Sequence, residues 1–122
     1  MPRSVLIVDD VKYMRDRLRE ILSELGVQVV GEAENGAIGV ELYQTLHPDA
    51  VFMDIAMPEM NGLEALERIK QADPMAKTLV CSASGNKEVV MEAIRLGAAD
   101  FIAKPFQPDR VLQGLRRVFP EL

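Results

Sequence analysis

The feature that most narrows the fold is an alternation. Short apolar runs at residues 5–8, 27–30, 50–53, 79–81 and 101–103 are separated by longer stretches with helical spacing of apolar side chains. Four of the five runs contain neither a charge nor a polar alternation, as strands covered on both faces do. Val11, Met14, Leu18, Ile21, Leu22 and Leu25 line one face of a first helix, with Gly26 as its stop. Ile38, Leu42 and Leu46 mark a second helix that ends before Pro48. Asn61 followed by Glu64 is an N-terminal capping pattern for a third, running through Leu66 and Ile69. Val90, Ala93, Ile94 and Gly97 suit a fourth, and Pro108 opens a fifth through Val111, Leu112, Leu115 and Phe119. The order is (βα)5, which predicts an α/β fold: a doubly wound, five-stranded parallel sheet with right-handed crossovers.

Length and composition limit the alternatives. At 122 residues the chain has the size of one domain and can bury a core without staples. Fourteen basic residues against nineteen acidic leave a net charge of −5, which argues against a nucleic-acid or anionic-membrane surface. One cysteine, Cys81, and one histidine, His47, rule out a disulfide framework and a Cys/His zinc site. The apolar run at residues 5–8 is far too short for a signal sequence or a membrane span, so the expected compartment is the cytoplasm.

In sheets of this class the ligand site lies beyond the carboxyl ends of the strands. Asp9 and Asp10 follow the first run, Asp54 the third, Ser82 the fourth and Lys104 the fifth; the second offers only Gly31 and Glu32. Alone, each such Asp is an ordinary turn or cap residue, the Ser a cap and the Lys a solvated charge. Together they bring three carboxylates, a hydroxyl and an amine to one sheet edge. Three carboxylates in one crevice repel one another, and a hard divalent cation with oxygen ligands, Mg²⁺, relieves that repulsion. Beside such an ion Asp54 is placed to meet a phosphoryl group, with Lys104 and Ser82 to hold its other oxygens, and a carboxylate can itself be the acceptor. His47 reads as a solvated helix-end residue and Cys81 as packing. No G-x-x-x-x-G-K-[ST] or G-x-G-x-x-G phosphate loop is present.

Asp9-Asp10, the stretch 53–62 around Asp54, Ser82-Ala83, Gly97-Ala98 and Lys104-Pro105-Phe106 together resemble the receiver domain of bacterial response regulators, in order and along the whole chain. Residues 80–83 and 104–108 are most similar to the stand-alone chemotaxis regulators of Gram-positive and thermophilic bacteria. The resemblance implies a single receiver domain over residues 1–122, with the flavodoxin-like strand order 2-1-3-4-5. It implies that Asp54 accepts a phosphoryl group from a histidine kinase, and that the chain catalyses nothing beyond its own phosphorylation and dephosphorylation. It also implies that Asp10, Asp54 and the Ala56 carbonyl bind Mg²⁺ directly, with Asp9 acting through water. Lys104 would contact the phosphoryl group across a cis Lys104–Pro105 bond. Ser82 and Phe101 match the family's switch pair: Ser82 moves toward the phosphoryl group and Phe101 swings inward. The implied partners are the kinase, a phosphatase, and the flagellar motor switch protein FliM docking on the fourth helix, fifth strand and fifth helix of a monomer. Phe101 replaces the commoner Tyr and Ser82 the commoner Thr. Ala56 and Ser84, small at the positions that influence dephosphorylation, imply slow hydrolysis of the phosphorylated form. The rival readings are the receiver of a longer DNA-binding regulator, a receiver-like scaffold that is never phosphorylated, and an aspartyl-nucleophile phosphohydrolase. The last wants D-x-D after the first strand, which is absent here.

Overall fold

The computed structural model describes residues 3–57, 60–83 and 85–122. Five strands alternate with five helices: β1 (Ser4–Val8), α1 (Lys12–Glu24), β2 (Gln28–Ala33), α2 (Gly36–Leu46), β3 (Ala50–Asp54), α3 (Gly62–Ala72), β4 (Thr78–Ser82), α4 (Lys87–Arg95), β5 (Asp100–Ala103) and α5 (Pro108–Val118). The strands form one parallel sheet in the order β2-β1-β3-β4-β5, as expected. Among the described residues no helix is long and apolar enough to cross a membrane.

Strand residues alternate between two layers. Val5, Ile7, Phe52, Leu79, Cys81 and Ile102 face α1 and α5, where Leu18, Ile21, Leu22, Val111, Leu115 and Phe119 complete the core. Leu6, Val8, Val51 and Met53 face the other layer with Tyr43 of α2 and Ala65 and Ile69 of α3. Leu66, Val80 and Ala93 continue that layer toward α4.

The double-sided burial expected of the apolar runs holds for β3 and β4, buried throughout, and for all of β1 but Ser4. β2 and β5 are edge strands and only half buried. β2 also runs further than its apolar core, through Gly31 and Glu32 to Ala33, because an edge strand tolerates a charge on its open side. Two helices turn differently from the apolar spacing. In α2 the buried residues are Gly36, Gly39 and Tyr43, while Leu46 is exposed and Ile38 and Leu42 are half buried. In α4 only Ala93 is buried, and Met91 and Ile94 are more than half exposed.

The helix ends are chemically marked. Asn35, Asn61 and Asn86 each accept a hydrogen bond from the backbone N–H three residues on, at the starts of α2, α3 and α4. Gly26 takes the left-handed conformation, φ 76°, that ends α1, and His47 does the same at φ 48° after α2. His47 is an exposed helix-end residue, in keeping with its sequence reading.

Candidate functional site

Parallel pairing brings the carboxyl ends of β1, β3, β4 and β5 to one edge. Val8 pairs with Met53, Asp54 with Cys81, and Ser82 with Ala103. Asp54 and Ser82 are thus the last residues of their strands, while Asp9, Asp10 and Lys104 lie in the turns just beyond. Carboxylate oxygens of Asp9, Asp10 and Asp54 all lie within 4.8 Å of one another. Asp10 and Asp54 border a cavity of about 310 Å³ whose wall also includes Ala56, Ser82, Ala83 and Lys104. Val11 and Met14 supply its apolar side; Met14 comes from the core-facing stripe of α1 that sequence reasoning treats only as packing.

Asp9 and Asp54 are buried and Asp10 is exposed. Lys104 is nearly enclosed, and its Nζ donates to Asp9 Oδ2 at 2.6 Å and lies 3.1 Å from Asp54 Oδ1. One ammonium group thus serves two of the three carboxylates. Burial, chiefly, and the negative charge of Asp9 push the Asp54 carboxyl up to about 6; Lys104 pulls it back only in part. For Lys104 burial works against the charge, but the hydrogen bond to Asp9 and the neighbouring carboxylates outweigh it and raise its pKa. Burial pushes the Cys81 thiol well above its ordinary range; its Sγ contacts the Leu79 carbonyl, consistent with a packing role.

The backbone around the site is tied down. The Lys104 N–H donates to the Ser82 carbonyl at 2.9 Å, joining the ends of β4 and β5, and the Lys104–Pro105 bond is cis, as expected. The Ile55 N–H donates to the Cys81 carbonyl, and the Gly62 N–H to the Ile55 carbonyl. Sequence reasoning assigns no role to Gly62, yet a Cβ there would collide with the Asp54 carbonyl. Only glycine lets the start of α3 lie against the end of β3. Its signal in the sequence is the Asn61-Gly62 pair.

One further residue, Arg15, escapes sequence reasoning. Arg15 donates from Nη1 to the Asp9 carbonyl at 2.7 Å and from Nε to Glu32 at 3.0 Å. Phe101 is half buried in β5 and packs against the cluster of Leu66, Val80 and Ala93. Ser84 lies outside the described residues.

The donor set suits a small hard cation: all-oxygen, anionic and opening on a cavity that leaves room for water or for a ligand's oxygens. It does not suit a soft or redox metal, since the one thiol is buried away from it.

Known proteins with this arrangement are numerous. The model of the response regulator receiver domain matches residues 5–116. The chemotaxis protein CheY of Thermotoga maritima is 53% identical over 97% of this chain and 98% of its own length. CheY of Bacillus subtilis is 51% identical over 96% of this chain and 98% of its own. Among solved structures, a CheX–CheY–BeF₃–Mg²⁺ complex from Borrelia burgdorferi matches with a TM-score of 0.95 at 34% identity, covering 98% of this chain and 90% of the other.

Proposed function

The chain belongs to the response regulator receiver domain family, and on that premise we propose that Asp54 is its phosphoacceptor and that phosphorylation switches its binding to a chemotaxis output protein. The observation that carries the reading is the set of three carboxylates within 4.8 Å, gathered against a single buried lysine at the sheet's carboxyl edge. Extra positive charge is what that cluster lacks.

Asp10 and Asp54, with the Ala56 carbonyl, would hold Mg²⁺ directly, and Asp9 would act through water. The ion neutralises carboxylate and phosphoryl charge and so lets the two anions meet. Asp54 then acts as the nucleophile. Its carboxylate oxygen bonds to phosphorus as the phosphorus–nitrogen bond of the kinase's phosphohistidine breaks, and the imidazole leaves with that electron pair. With a carboxyl pKa of about 6, Asp54 is mostly ionised at neutral pH, as a nucleophile must be. Lys104 stabilises the transferring group through charge and a hydrogen bond. Ser82, on the cavity wall, closes on a phosphoryl oxygen, and Phe101 moves inward on the same layer of the fold.

Receiver domains are not catalytic enzymes in the usual sense. This one acts once on itself and is then read by others. The half-exposed Met91 and Ile94 give α4 an apolar outer face beside β5, a surface for an output protein. FliM is the output partner proposed, with a histidine kinase as donor and a CheX-type protein as a further partner, since the Borrelia relative is seen with CheX. The −5 charge of the chain speaks against nucleic acid as the output. The proposed domain fills residues 1–122 and works as a monomer in the cytoplasm.

Intact-mass measurement after incubation with acetyl phosphate and Mg²⁺ tests the reading. The expected gain is one phosphoryl group, dependent on Mg²⁺ and absent in Asp54→Ala. The gain is long-lived, because Ala56 offers no amide or carboxylate to orient water. A half-life of seconds would overturn slow hydrolysis. No gain, together with no response to beryllium fluoride, would overturn the function.

A further inference from the structure

We propose that Arg15 is a positioning residue for the metal site, acting through the main chain of Asp9, and that Glu32 sets its geometry. The proposal rests on the reading of Asp9, Asp10 and Asp54 as a Mg²⁺ site. Arg15 sits on the first turn of α1, where a cation is unfavourable beside a helix N-terminus and again beside a divalent-ion site. Its charge alone therefore opposes the function, and a geometric role explains its place.

Asp9 is held on every side. Its N–H donates to the Ala33 carbonyl at 3.0 Å, its Oδ1 accepts from the Val11 N–H at 2.9 Å, and its Oδ2 accepts from Lys104 at 2.6 Å. Its carbonyl oxygen accepts from Arg15 Nη1 at 2.7 Å, which fixes the plane of the Asp9–Asp10 peptide. That peptide carries Asp10, the exposed member of the carboxylate set, so its plane aims the Asp10 side chain. Arg15 is itself braced. Its Nε donates to Glu32 Oε1 at 3.0 Å, while Arg19 donates from Nε and Nη2 to Oε2 at 2.9 and 2.6 Å. The Arg15 side chain is only 15% exposed, so the bracing is not simply a surface ion pair. β2 contributes no ligand, yet through Glu32 it holds the guanidinium that holds the β1–α1 turn.

Charge and geometry predict opposite signs for one substitution. Arg15→Ala removes a cation near a cation site, so charge alone would tighten Mg²⁺ binding. Loss of positioning would weaken it, and support of this outer kind changes metal affinity by 10- to 100-fold. The experiment is calorimetric Mg²⁺ titration of the full chain as wild type, Arg15→Ala, Arg15→Lys, Glu32→Gln and, as a control, Arg17→Ala. Urea unfolding in EDTA is run on each. Arg15→Ala is expected to weaken Mg²⁺ binding by about 10-fold. Arg15→Lys keeps the charge but cannot span both Asp9 and Glu32, and is expected to be intermediate. Arg17→Ala is expected to bind as wild type does. Unchanged or tighter Mg²⁺ binding by Arg15→Ala overturns the proposal, as does lost stability with unchanged affinity in the series. Should Arg15→Ala fail to fold, wild-type affinity in both Arg15→Lys and Glu32→Gln overturns it. A wild type that binds no Mg²⁺ takes down the metal-site reading itself, a failure distinct from variants that match a binding wild type.

Discussion

Asp54 and Asp100 are two aspartates sheltered from water at opposite edges of one parallel sheet, on strands separated by β4, and their surroundings treat them in opposite ways. Asp54 ends β3 among Asp9 and Asp10, with Lys104 as the cation in reach, and its carboxyl is pushed up to about 6. Asp100 begins β5, where Arg110 donates to both of its oxygens at 2.9 and 3.0 Å and the Phe101 N–H donates at 2.8 Å. Burial works to raise the Asp100 pKa, yet the Arg110 fork and the other donors lower it overall. The first environment is short of positive charge and the second is not. A satisfied carboxylate stabilises a fold and is chemically inert; an unsatisfied one costs stability and is ready for a cation or a phosphoryl group.

The largest effect that would break this comparison lies at Asp54. The folded chain holds the Asp54 proton up to about pH 6, whereas the unfolded chain releases it near 3.8. A carboxyl raised in the fold makes stability fall as pH rises through that window, and the gap corresponds to about 3 kcal/mol above it. Asp54→Asn, which does not titrate, is therefore expected to stabilise the metal-free chain at pH 7 by up to about 3 kcal/mol. The gain should shrink toward zero near pH 4. Urea unfolding in EDTA at the two pH values measures it. Destabilisation at pH 7 would mean that pairing with Lys104 outweighs burial and repulsion, and the contrast with Asp100 would collapse.

Arg110→Ala is the mirror experiment. It leaves Asp100 with the Phe101 N–H and a distant Arg117, and removes the Arg110 donation to the Phe101 carbonyl at 2.8 Å. Hydrogen bonds to a charged group of this kind contribute about 2 kcal/mol, so a loss of that order is expected at pH 7. Here the sign runs the other way. A carboxyl lowered in the fold stabilises above its ordinary range, and the contribution disappears as pH falls through its folded value. The penalty of Arg110→Ala should therefore fade in acid; a penalty independent of pH would assign it to packing of the arginine stem.

The contrast also separates what a sequence displays from what it hides. β1, β3 and β4 are legible because strands enclosed on both faces must be continuously apolar, and the site follows from the residues at their carboxyl ends. Asp9, Asp10, Asp54 and Ser82 are brought together for that reason, and Lys104 joins them from the end of the edge strand β5. The turn of α2 is not legible, because its inward face carries Gly36 and Gly39; a Cβ on Gly39 would press on Val8 at about 3 Å. Close approach selects for the absence of a side chain, which an apolar periodicity does not register. The end of β2 hides behind the charge of Glu32. Arg15–Glu32 and Arg110–Asp100 are pairs 17 and 10 residues apart that meet only when helices lie on the sheet, so no local pattern announces either.

The smallest effect sharpens the comparison most, because it asks how much of the environment of Asp100 is geometry. Arg117 Nε lies 3.5 Å from the same Asp100 oxygen that Arg110 Nη1 holds at 2.9 Å, and its side chain is 62% exposed. A long, solvated contact to an oxygen already engaged contributes little, so Arg117→Ala alone is expected to change stability by less than about 0.5 kcal/mol. Without Arg110, however, Arg117 becomes the nearer of the remaining cations and its charge is no longer redundant. In the Arg110→Ala background the cost of removing it should rise, which a double-mutant cycle reads directly as coupling. Equal cost in both backgrounds would show that the fork of Arg110 alone sets the state of Asp100. A cost that grows would show that Asp100 draws on a reserve of positive charge, the resource of which Asp54, sharing Lys104 with Asp9, is short.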